Sequence, residues 1–473
     1  MVKSSSQLRW RPRGRLALLA VLGLCGLIVA IGSASSSSAS TSKAAAAAIK
    51  IGILSDCQGA FGAFYQADIR GAQAYLIAHA GAKAKGPNPT DGITGGTLGG
   101  RPIKIVGYGC SSDNADLALS EARRLVEKNG ADILIVPLSG DEGIAVANYS
   151  KTQPGKTFLN GTSGAQDTTL KVRSPNFFRF NSDGAQWNAG VGDYAYRVLH
   201  WRHAVVIADD YSFGWTSAAG FIADFCAAGG TVTRIFPPLN TTDYSSYVAQ
   251  VPQKFDGLFS AVGGSGLIAF IKQYNQSRGT FPKHKFAGNI FVNDPLVLKA
   301  IGSQVIGAIA GGPTNEDTKS PNAAAYIASL QKAYPKMTGG SLAKLAASVF
   351  TVNYYNAMWA LAKGLAAVHG NLANGQKALH AALAKTSLPN AAYGPITLDK
   401  NRNAITNNYI GQVVAPTAGQ TVPTFKTAYE VPNVNETFGG TFSPTTPPPG
   451  RTAPACQKRS LPWAGKEKKV SFS

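Results

Sequence analysis

Short apolar runs alternate with segments of helical periodicity through the chain after residue 48. The apolar runs predict buried strands at 51–54, 103–108, 133–136, 157–159, 204–208, 231–236, 257–262 and 286–291. Amphipathic helices lie between them, such as the one whose apolar face includes Leu119, Ala122 and Val126. Strands that alternate with helices are typical of parallel sheets with crossover helices. The pattern predicts an α/β fold, and its two series of strands imply two sheets.

The strand at 133–136 has the most informative ending. Pro137 closes it, and a helix start follows at Ser139. A helix that begins at the carboxyl end of a parallel strand presents unpaired N–H groups and the positive end of its dipole. The turn is therefore either a recognition point for a small polar or anionic group, or a plain helix start. In the second case Ser139 caps the backbone, and Asp141 and Glu142 complement the dipole.

The C-terminal third has a different pattern. From Pro321 the chain is helical, with Ala-rich helices near 343–368 and 375–384 and strand-like pieces at 396–398 and 409–414. Beyond Gly440 the sequence is basic and rich in proline, which predicts an exposed extension.

The first residues combine a basic start, an apolar run over 16–31 and a Ser/Ala-rich stretch to Ala48. These are the regions of a secretory signal sequence, so we exclude 1–48 from the fold and expect an extracytoplasmic, cell-surface or periplasmic protein. The apolar run is short for a spanning helix, and both cleavage and retention as an anchor stay open. Leu24 stands before Cys25 where lipidation needs a small residue, so we expect none.

Four cysteines follow the signal, and an oxidising compartment allows them three pairings. Cys57 and Cys110 each lie shortly after a predicted strand, and parallel neighbours place their carboxyl ends side by side. We therefore predict a Cys57–Cys110 disulfide, worth roughly 4 kcal/mol in the chain-entropy model. Cys226 and Cys456 then pair by elimination and tie the tail to the body.

The formal charge of +20 is concentrated at the ends of the chain. Five positive charges precede Leu16 and a net five follow Gly450, which leaves about +10 for the body. This distribution indicates a solvated basic surface, and no nucleic-acid-binding motif accompanies it.

Few motifs suggest chemistry. Gly264-Ser-Gly266 with Ala269 matches the GxGxxA dinucleotide fingerprint, but it stands in the second series of strands and no acidic residue follows at about 20 positions. The stretch 161–164 lacks the spacing of a nucleophile elbow, and no Cys/His cluster suggests a metal. We predict no enzyme, cofactor or metal; an NAD-dependent enzyme is the alternative from another class.

Five stretches, in this order, carry a family likeness: Ile51-Gly-Ile-Leu with Gly59 and Gly62; Gly-Gly-Thr-Leu-Gly-Gly-Arg at 95–101; Val-Pro-Leu-Ser at 136–139 with Ala-Val-Ala at 145–147; Phe-Arg-Phe at 178–180 with Asp183; and Gly-Pro-Ile-Thr-Leu-Asp at 394–399. Together they resemble the type I periplasmic binding proteins, in particular the leucine/isoleucine/valine-binding family of ABC-importer receptors. The likeness covers roughly residues 49–440, which is nearly the whole chain after the signal sequence.

The resemblance implies two doubly wound parallel-sheet lobes that are joined by a three-crossover hinge and close on a small ligand. Lobe 1 would comprise 49–182 and 314–397, lobe 2 would comprise 183–313 and 398–435, and 436–473 would form the basic tail. The crossings would fall near Ser182, Pro313 and Thr397.

The resemblance also implies a binding site. In lobe 1 the polar end of the ligand would be held by two turns, Ser139-Gly140 and Gly161-Thr162-Ser163. Gly140 replaces the second serine of the family turn, so only its backbone N–H remains there.

Aromatic side chains are expected to complete that site. Tyr211 or Phe213 would cover the ligand from lobe 2. From lobe 1, Phe61, Phe64 and Tyr65 lie beside a helix start and would either line the cleft or pack in the core, with neither favoured. Trp187 follows the first crossover and would either face the cleft or belong to the core; the core is favoured, because a tryptophan on an amphipathic helix usually lies there.

Two departures from the family pattern concern the ligand. Gly263-Gly264-Ser265 stands where amino-acid binders carry an aromatic residue, and near the end of strand 286–291 only Asn289 or Asn293 replaces their carboxylate. A branched-chain amino acid is therefore not favoured. Asp141 and Glu142 would instead meet a cationic group, because carboxylates repel an anion.

The expected function is that of an extracytoplasmic solute-binding protein of an ABC importer, with a small amino-acid-like or related polar ligand. Its partners would be that ligand and a membrane permease, without nucleic acid, and the protein would be a monomer. A ligand-sensing receptor subunit of the same fold is the alternative.

Overall fold

The computed structural model describes residues 47–416 and 419–472. The predicted signal sequence and linker at 1–48 thus lie, except for the last two residues, outside the described residues. In the part of the chain that is described, no helix has both the length and the hydropathy that crossing a bilayer requires. This part forms two α/β lobes, each built on its own sheet.

The strands form two large sheets and a small hairpin. Their bounds are β1 (Ile49–Asp56), β2 (Ala82–Ala84), β3 (Ile93–Gly95), β4 (Thr97–Leu98), β5 (Arg101–Ser111), β6 (Ile133–Val136), β7 (Thr157–Asn160), β8 (Phe177–Phe178), β9 (His203–Ala208), β10 (Thr231–Ile235), β11 (Gly257–Ala261), β12 (Phe286–Gly288), β13 (Ile309–Gly312), β14 (Thr397–Leu398), β15 (Ala404–Val414), β16 (Thr424–Val434) and β17 (Lys468–Lys469).

The first sheet has the order β4-β5-β1-β6-β7-β8 and is parallel except for β4 against β5. The second has the order β10-β9-β11-β12-β13-β15-β16-β17, is parallel as far as β13, and also pairs β14 with β15. Strands β2 and β3 form the hairpin. Both sheets are wound with helices on their faces, which confirms the predicted fold class.

The helices are α1 (Tyr65–His79), α2 (Ala115–Arg123), α3 (Gly140–Ser150), α4 (Asp167–Leu170), α5 (Val191–Arg197), α6 (Ser212–Ala228), α7 (Ser245–Gln250), α8 (Gly264–Arg278), α9 (Ile290–Asn293), α10 (Pro295–Ile301), α11 (Pro321–Ala333), α12 (Gly339–Ala347), α13 (Val349–Ala367) and α14 (Lys377–Ala384). Short helical turns occupy Gly62–Phe64, Pro89–Asp91, Arg124–Lys128, Gln186–Asn188, Lys283–Lys285, Gly302–Val305, Asn374–Gln376 and Phe438–Gly440.

The burial and register of the apolar strands determine where the turns that follow them lie. Ile51 and Ile53 of β1 and Ile133 and Ile135 of β6 are fully buried between helix layers, and each such side chain stabilises the fold by about 1.5–3 kcal/mol. The register aligns Ile53 with Ile135. The turns that follow these two strands consequently emerge side by side at one edge of the sheet.

Three predicted elements are shorter or broken in the structure. Strand 286–291 ends at Gly288, because the Asn289 side chain accepts a hydrogen bond from Phe291 N (3.1 Å) and begins helix α9. The predicted helix 343–368 is divided into α12 and α13 by the extended backbone of Ser348 (ψ 125°). The predicted amphipathic helix that contains Trp187 is interrupted at Gly190 (φ +84°).

The tail is not the exposed extension that its composition predicted. Phe442, Leu461 and Trp463 are buried, and Trp463 Nε1 donates to Asp224 Oδ1 at 3.0 Å. Strand β17 adds to the second sheet. That expectation is therefore wrong, because apolar residues among the prolines find a partner surface on the second lobe.

Both predicted disulfides are present. Cys57 pairs with Cys110, whose strand lies parallel to β1, and Cys226 of α6 pairs with Cys456 of the tail. The first closes neighbouring strand ends, and the second holds the tail against the second lobe.

Candidate functional site

The carboxyl ends of the two sheets face one another across a small cavity, which we call the interlobe cavity. It has a free volume of about 10 Å³, room for roughly one water molecule. Its lining residues are Phe61, Leu138, Thr162, Gly164, Trp187, Tyr211, Phe213, Ile290, Phe291 and Phe350.

Most of these residues come directly after a strand. In the first lobe, Phe61 follows β1, Leu138 follows β6 and Thr162 follows β7. In the second lobe, Tyr211 is the N-cap residue of α6 after β9, and Phe291 lies on α9 after β12. This is the edge at which open α/β sheets bind ligands.

Aromatic rings dominate the wall. Phe291 stacks on Phe61 at a centroid distance of 5.5 Å and meets Phe213 edge-on at 5.9 Å. Phe213 also lies 5.6 Å from Trp187 and 6.1 Å from Tyr211. The rings come from both lobes and touch, so a guest larger than water enters only when the lobes part or these side chains rearrange.

Several polar atoms at the cavity have no hydrogen-bond partner among the described residues. Thr162 Oγ1, Trp187 Nε1 and Tyr211 OH belong to lining residues that are at most 4 % exposed. The hydroxyls of Ser139, Ser163 and Ser212, which adjoin lining residues in the chain, are also unpaired. Buried polar atoms are nearly always paired in folded proteins, so these atoms are available to a water molecule or to a ligand.

The start of α3 contacts the other lobe directly. Ser139 is its N-cap residue, but the side chain makes no capping hydrogen bond. Asp141 Oδ1 accepts from Ser212 N at 3.2 Å. A Cβ on Gly140 would lie 2.5 Å from Ser212 Oγ and 2.7 Å from Phe213 N. The absence of a side chain at this position thus permits the close approach of the lobes.

Carboxyl groups surround the same edge. Asp56 Oδ1 accepts from Ser111 Oγ (2.8 Å) and Asp113 N (3.2 Å), and Asp113 Oδ2 accepts from Ala60 N (2.6 Å). Burial, together with the charge of Asp56, raises the pKa of Asp113 to about 8 and raises that of Glu142. Burial likewise raises the pKa of Asp209, on the second lobe, to about 8.

The glycines of the fingerprint-like motif have a structural role. A Cβ on Gly264 (φ +51°) would overlap the Ala60 carbonyl oxygen, and one on Gly263 would lie 2.5 Å from the Phe61 ring. Ser265 N donates to Ala60 O at 3.4 Å, and Ala60 N donates to Asn240 Oδ1 at 3.1 Å. Close contact between the lobes therefore accounts for these glycines without a dinucleotide.

The structure brings only part of the predicted site together. Phe61, Thr162, Tyr211 and Phe213 line the interlobe cavity, and Ser139, Gly140, Asp141 and Ser163 adjoin it. Gly161 faces elsewhere, since a Cβ there would overlap the Tyr354 ring.

Two predicted site residues are engaged away from the cavity. Tyr65 packs on the core of the first lobe, where burial and nearby Glu121 raise its pKa. The Asn289 side chain caps α9 and donates to Ser217 Oγ at 3.1 Å.

The lining residues that sequence reasoning missed are Leu138, Gly164, Trp187, Ile290, Phe291 and Phe350. For Leu138 the position just after predicted strand 133–136 was an available signal, whereas Ile290 and Phe291 had been assigned to the end of predicted strand 286–291 and follow β12 only in the structure. Phe350, on α13, has no such signal.

A second, larger cavity lies between α12 and the tip of the β15–β16 hairpin, and we call it the hairpin cavity. Its volume is about 300 Å³, and its lining includes Leu298, Glu316, Asp317, Lys344, Gly419, Thr421 and Phe425. Its carboxylates are already used: Glu316 Oε1 accepts from Thr427 N (2.8 Å), and Asp317 Oδ1 accepts from Lys319 N (2.9 Å) and Ser320 N (3.0 Å).

Comparisons with known proteins agree with this fold. A family model described as periplasmic binding protein matches residues 48–420. The chain belongs to the periplasmic binding protein family.

Solved structures of similar fold include several solute-binding proteins. An R. palustris solute-binding protein of an ABC transporter, in complex with benzoate, is 24% identical, with a TM-score of 0.65 over 80% of this chain and 96% of that one. A Sphaerobacter thermophilus ABC transporter substrate-binding protein is 21% identical (TM-score 0.68; 82% and 99% covered). The leucine-binding protein LivK of Thermotoga maritima is 19% identical (TM-score 0.64; 80% and 97% covered). A comparison with curated protein sequences gives no match.

Proposed function

We propose that the protein is the extracytoplasmic solute-binding component of an ABC importer. It binds a small ligand between its lobes by hinge closure and passes it to a permease in the membrane, as a monomer and without chemical change. The chain crosses between lobes near Ser182, Pro313 and Thr397, which we propose as the hinge.

The observation that carries this proposal is the set of unpaired buried polar atoms at the interlobe cavity. Thr162 Oγ1 comes from the first lobe and Tyr211 OH from the second, and both line the same space. A protein interior leaves such atoms unpaired at a cost of about 1–3 kcal/mol each. A ligand that pairs with them recovers this free energy only when the lobes are together, so binding favours closure.

The residues that line the interlobe cavity suit a ligand with an apolar body and a polar end. Ser139, Thr162 and the neighbouring N–H groups hold the polar end, while Tyr211, Phe213 and Phe61 cover the body. Amino-acid-like molecules have this form. So does benzoate, which is bound in the similar R. palustris structure.

A thermal-shift screen of the purified full chain tests the proposal. The panel contains amino acids, aromatic carboxylates, amines and NAD. A true ligand at 100 times its Kd stabilises the folded protein by about 2.7 kcal/mol. Tyr211→Ala and Thr162→Ala each weaken that response without unfolding the lobes, whereas Lys344→Gln, at the hairpin cavity, leaves it unchanged. Stabilisation by NAD alone, or full affinity in both site variants, contradicts the proposal.

A further inference from the structure

Six aromatic residues, Phe61, Trp187, Tyr211, Phe213, Phe291 and Phe350, line the interlobe cavity. The ring faces of aromatic side chains are electron-rich, and a group of them attracts a cation when water is excluded. These rings are buried and belong to both lobes. We call these six rings the aromatic cage; because they touch in this structure, they surround a guest larger than water only after the lobes part and the rings rearrange.

Three carboxyl groups stand behind the cage. Asp113 Oδ2 accepts from the N–H of Ala60, the residue before Phe61. Asp141 Oδ1 accepts from Ser212 N, between Tyr211 and Phe213.

The third carboxyl group comes from the second lobe. Asp209 Oδ2 accepts at 2.8 Å from the N–H of Gly263, the residue that packs on the Phe61 ring. Each of the three carboxyl groups is thus hydrogen-bonded to a residue that adjoins or packs on a ring of the cage.

Basic side chains do not oppose these acids at the cavity. Among the described residues that line it, none is Lys, Arg or His. A ligand carboxylate therefore has no cationic side chain to pair with among these lining residues, and burying a charge without a partner is costly.

We propose that the ligand of this site is a small organic ammonium ion, whose charged group occupies the aromatic cage. This inference rests on the proposed function and specifies its substrate class. The unpaired polar atoms complete the recognition: Trp187 Nε1, which only donates, suits a hydroxyl or carbonyl oxygen of the same molecule, and Tyr211 OH accepts or donates.

A pH dependence accompanies the proposal. The groups that face the cage are Asp56, Asp113, Asp141 and Glu142 on the first lobe, and Asp209 and Tyr211 on the second. Asp113 and Asp209, with pKa values raised to about 8, hold protons near neutral pH. A bound cation favours their ionised forms, so binding releases protons and tightens as the pH rises towards 8.

The test is calorimetric titration of the full chain with three probes of one shape. These are choline, its neutral carbon analogue 3,3-dimethylbutan-1-ol, and the anion 3,3-dimethylbutanoate; leucine and benzoate are titrated beside them. Choline is expected to bind at least about tenfold more tightly than the alcohol, and the anion more weakly than the alcohol. Because choline does not titrate, its tighter binding at pH 8 than at pH 6 reports the protein carboxyls.

Two variants locate the effect. Asp113→Asn reduces choline affinity and its pH dependence but leaves the affinity for the alcohol unchanged, and Asp317→Asn, at the hairpin cavity, changes neither. Tighter binding of an anion, leucine or benzoate than of choline overturns the ammonium inference while the binding function stands. Failure of every compound here and in the thermal-shift panel overturns both.

Discussion

The interlobe cavity and the hairpin cavity differ both in volume and in the use of their polar groups. The hairpin cavity is some thirty times larger by volume, about 300 Å³ against 10 Å³. Yet its carboxylates accept hydrogen bonds from Thr427, Lys319 and Ser320, and none of its lining residues appears among the unpaired buried atoms of the described chain.

The small cavity has the opposite character. Three of its ten lining residues carry an unpaired buried polar atom, and carboxyl groups with raised pKa stand behind it. If the interlobe cavity binds the ligand as we propose, its unpaired polar atoms mark the site where free volume does not, because a closed cleft has little free volume but retains its polar groups.

The largest expected effect is on the pH dependence of stability, and it comes from one carboxyl group near each cavity, Asp209 near the interlobe cavity and Asp317 at the hairpin cavity. Folded Asp209 keeps its proton up to about pH 8, whereas an unfolded aspartate releases it near pH 4. Between these values the folded state binds more protons, so the contribution of Asp209 to stability falls as pH rises. Asparagine does not titrate, so Asp209→Asn removes this loss. The unfolding free energy of the variant relative to the parent chain should therefore rise by about 2–5 kcal/mol between pH 5 and pH 8.

Asp317→Asn is the matched control and has the opposite sign. Burial raises the pKa of Asp317, but hydrogen bonds from Ser320 and Lys319 outweigh it and the net shift is downward. Its contribution is present above the unfolded pKa and is lost as pH falls through the folded one. Calorimetric melting from pH 3 to 8 measures both variants; equal pH profiles for Asp209→Asn and the parent chain contradict the burial argument.

The second effect tests how closely the lobes meet. Gly264 and Gly419 both have positive φ, +51° and +82°, but a Cβ at Gly264 overlaps Ala60 O and one at Gly419 meets no atom of the described residues within 4 Å. Alanine should cost about 1–2 kcal/mol at Gly419 through backbone strain alone. At Gly264 it should cost about 2–4 kcal/mol, because overpacking is added.

Urea unfolding compares the two variants, and small-angle scattering shows whether Gly264→Ala separates the lobes. An equal loss of unfolding free energy in the two variants would mean that Ala60 does not contact Gly264 in solution.

The sequence predicts the scaffold well because each strand carries its own signal. Continuous apolar runs such as 133–136 have one stable environment, the interior of a parallel sheet, and the parallel order then sets Cys57 beside Cys110. The long antiparallel β16 was missed, since only three of its eleven residues are fully buried and its pattern is mixed.

The candidate site was harder to predict. The family resemblance implied Thr162 and Tyr211. Phe350, however, reaches the cavity through the packing of α13, and Asp113 and Asp209 are connected to it only through hydrogen bonds to backbone N–H groups of other segments. Such contacts depend on how two lobes meet, which no local pattern encodes. For the same reason Tyr65, adjacent in sequence to the lining turn, faces the core instead.

The smallest effect is the most specific to the site. Thr162→Val replaces an unpaired buried hydroxyl by a methyl of the same shape, which should stabilise the ligand-free protein by about 1 kcal/mol, since no hydrogen bond is lost. The same change should weaken ligand binding by about tenfold, because the bond to the ligand is lost. Thr421→Val, at an exposed position of the hairpin cavity, should change stability by less than about 0.5 kcal/mol and leave affinity unaltered. Opposite signs for stability and affinity at Thr162 are expected only of a polar atom that is kept for a ligand; a loss of stability would show that its hydroxyl is bonded within the protein.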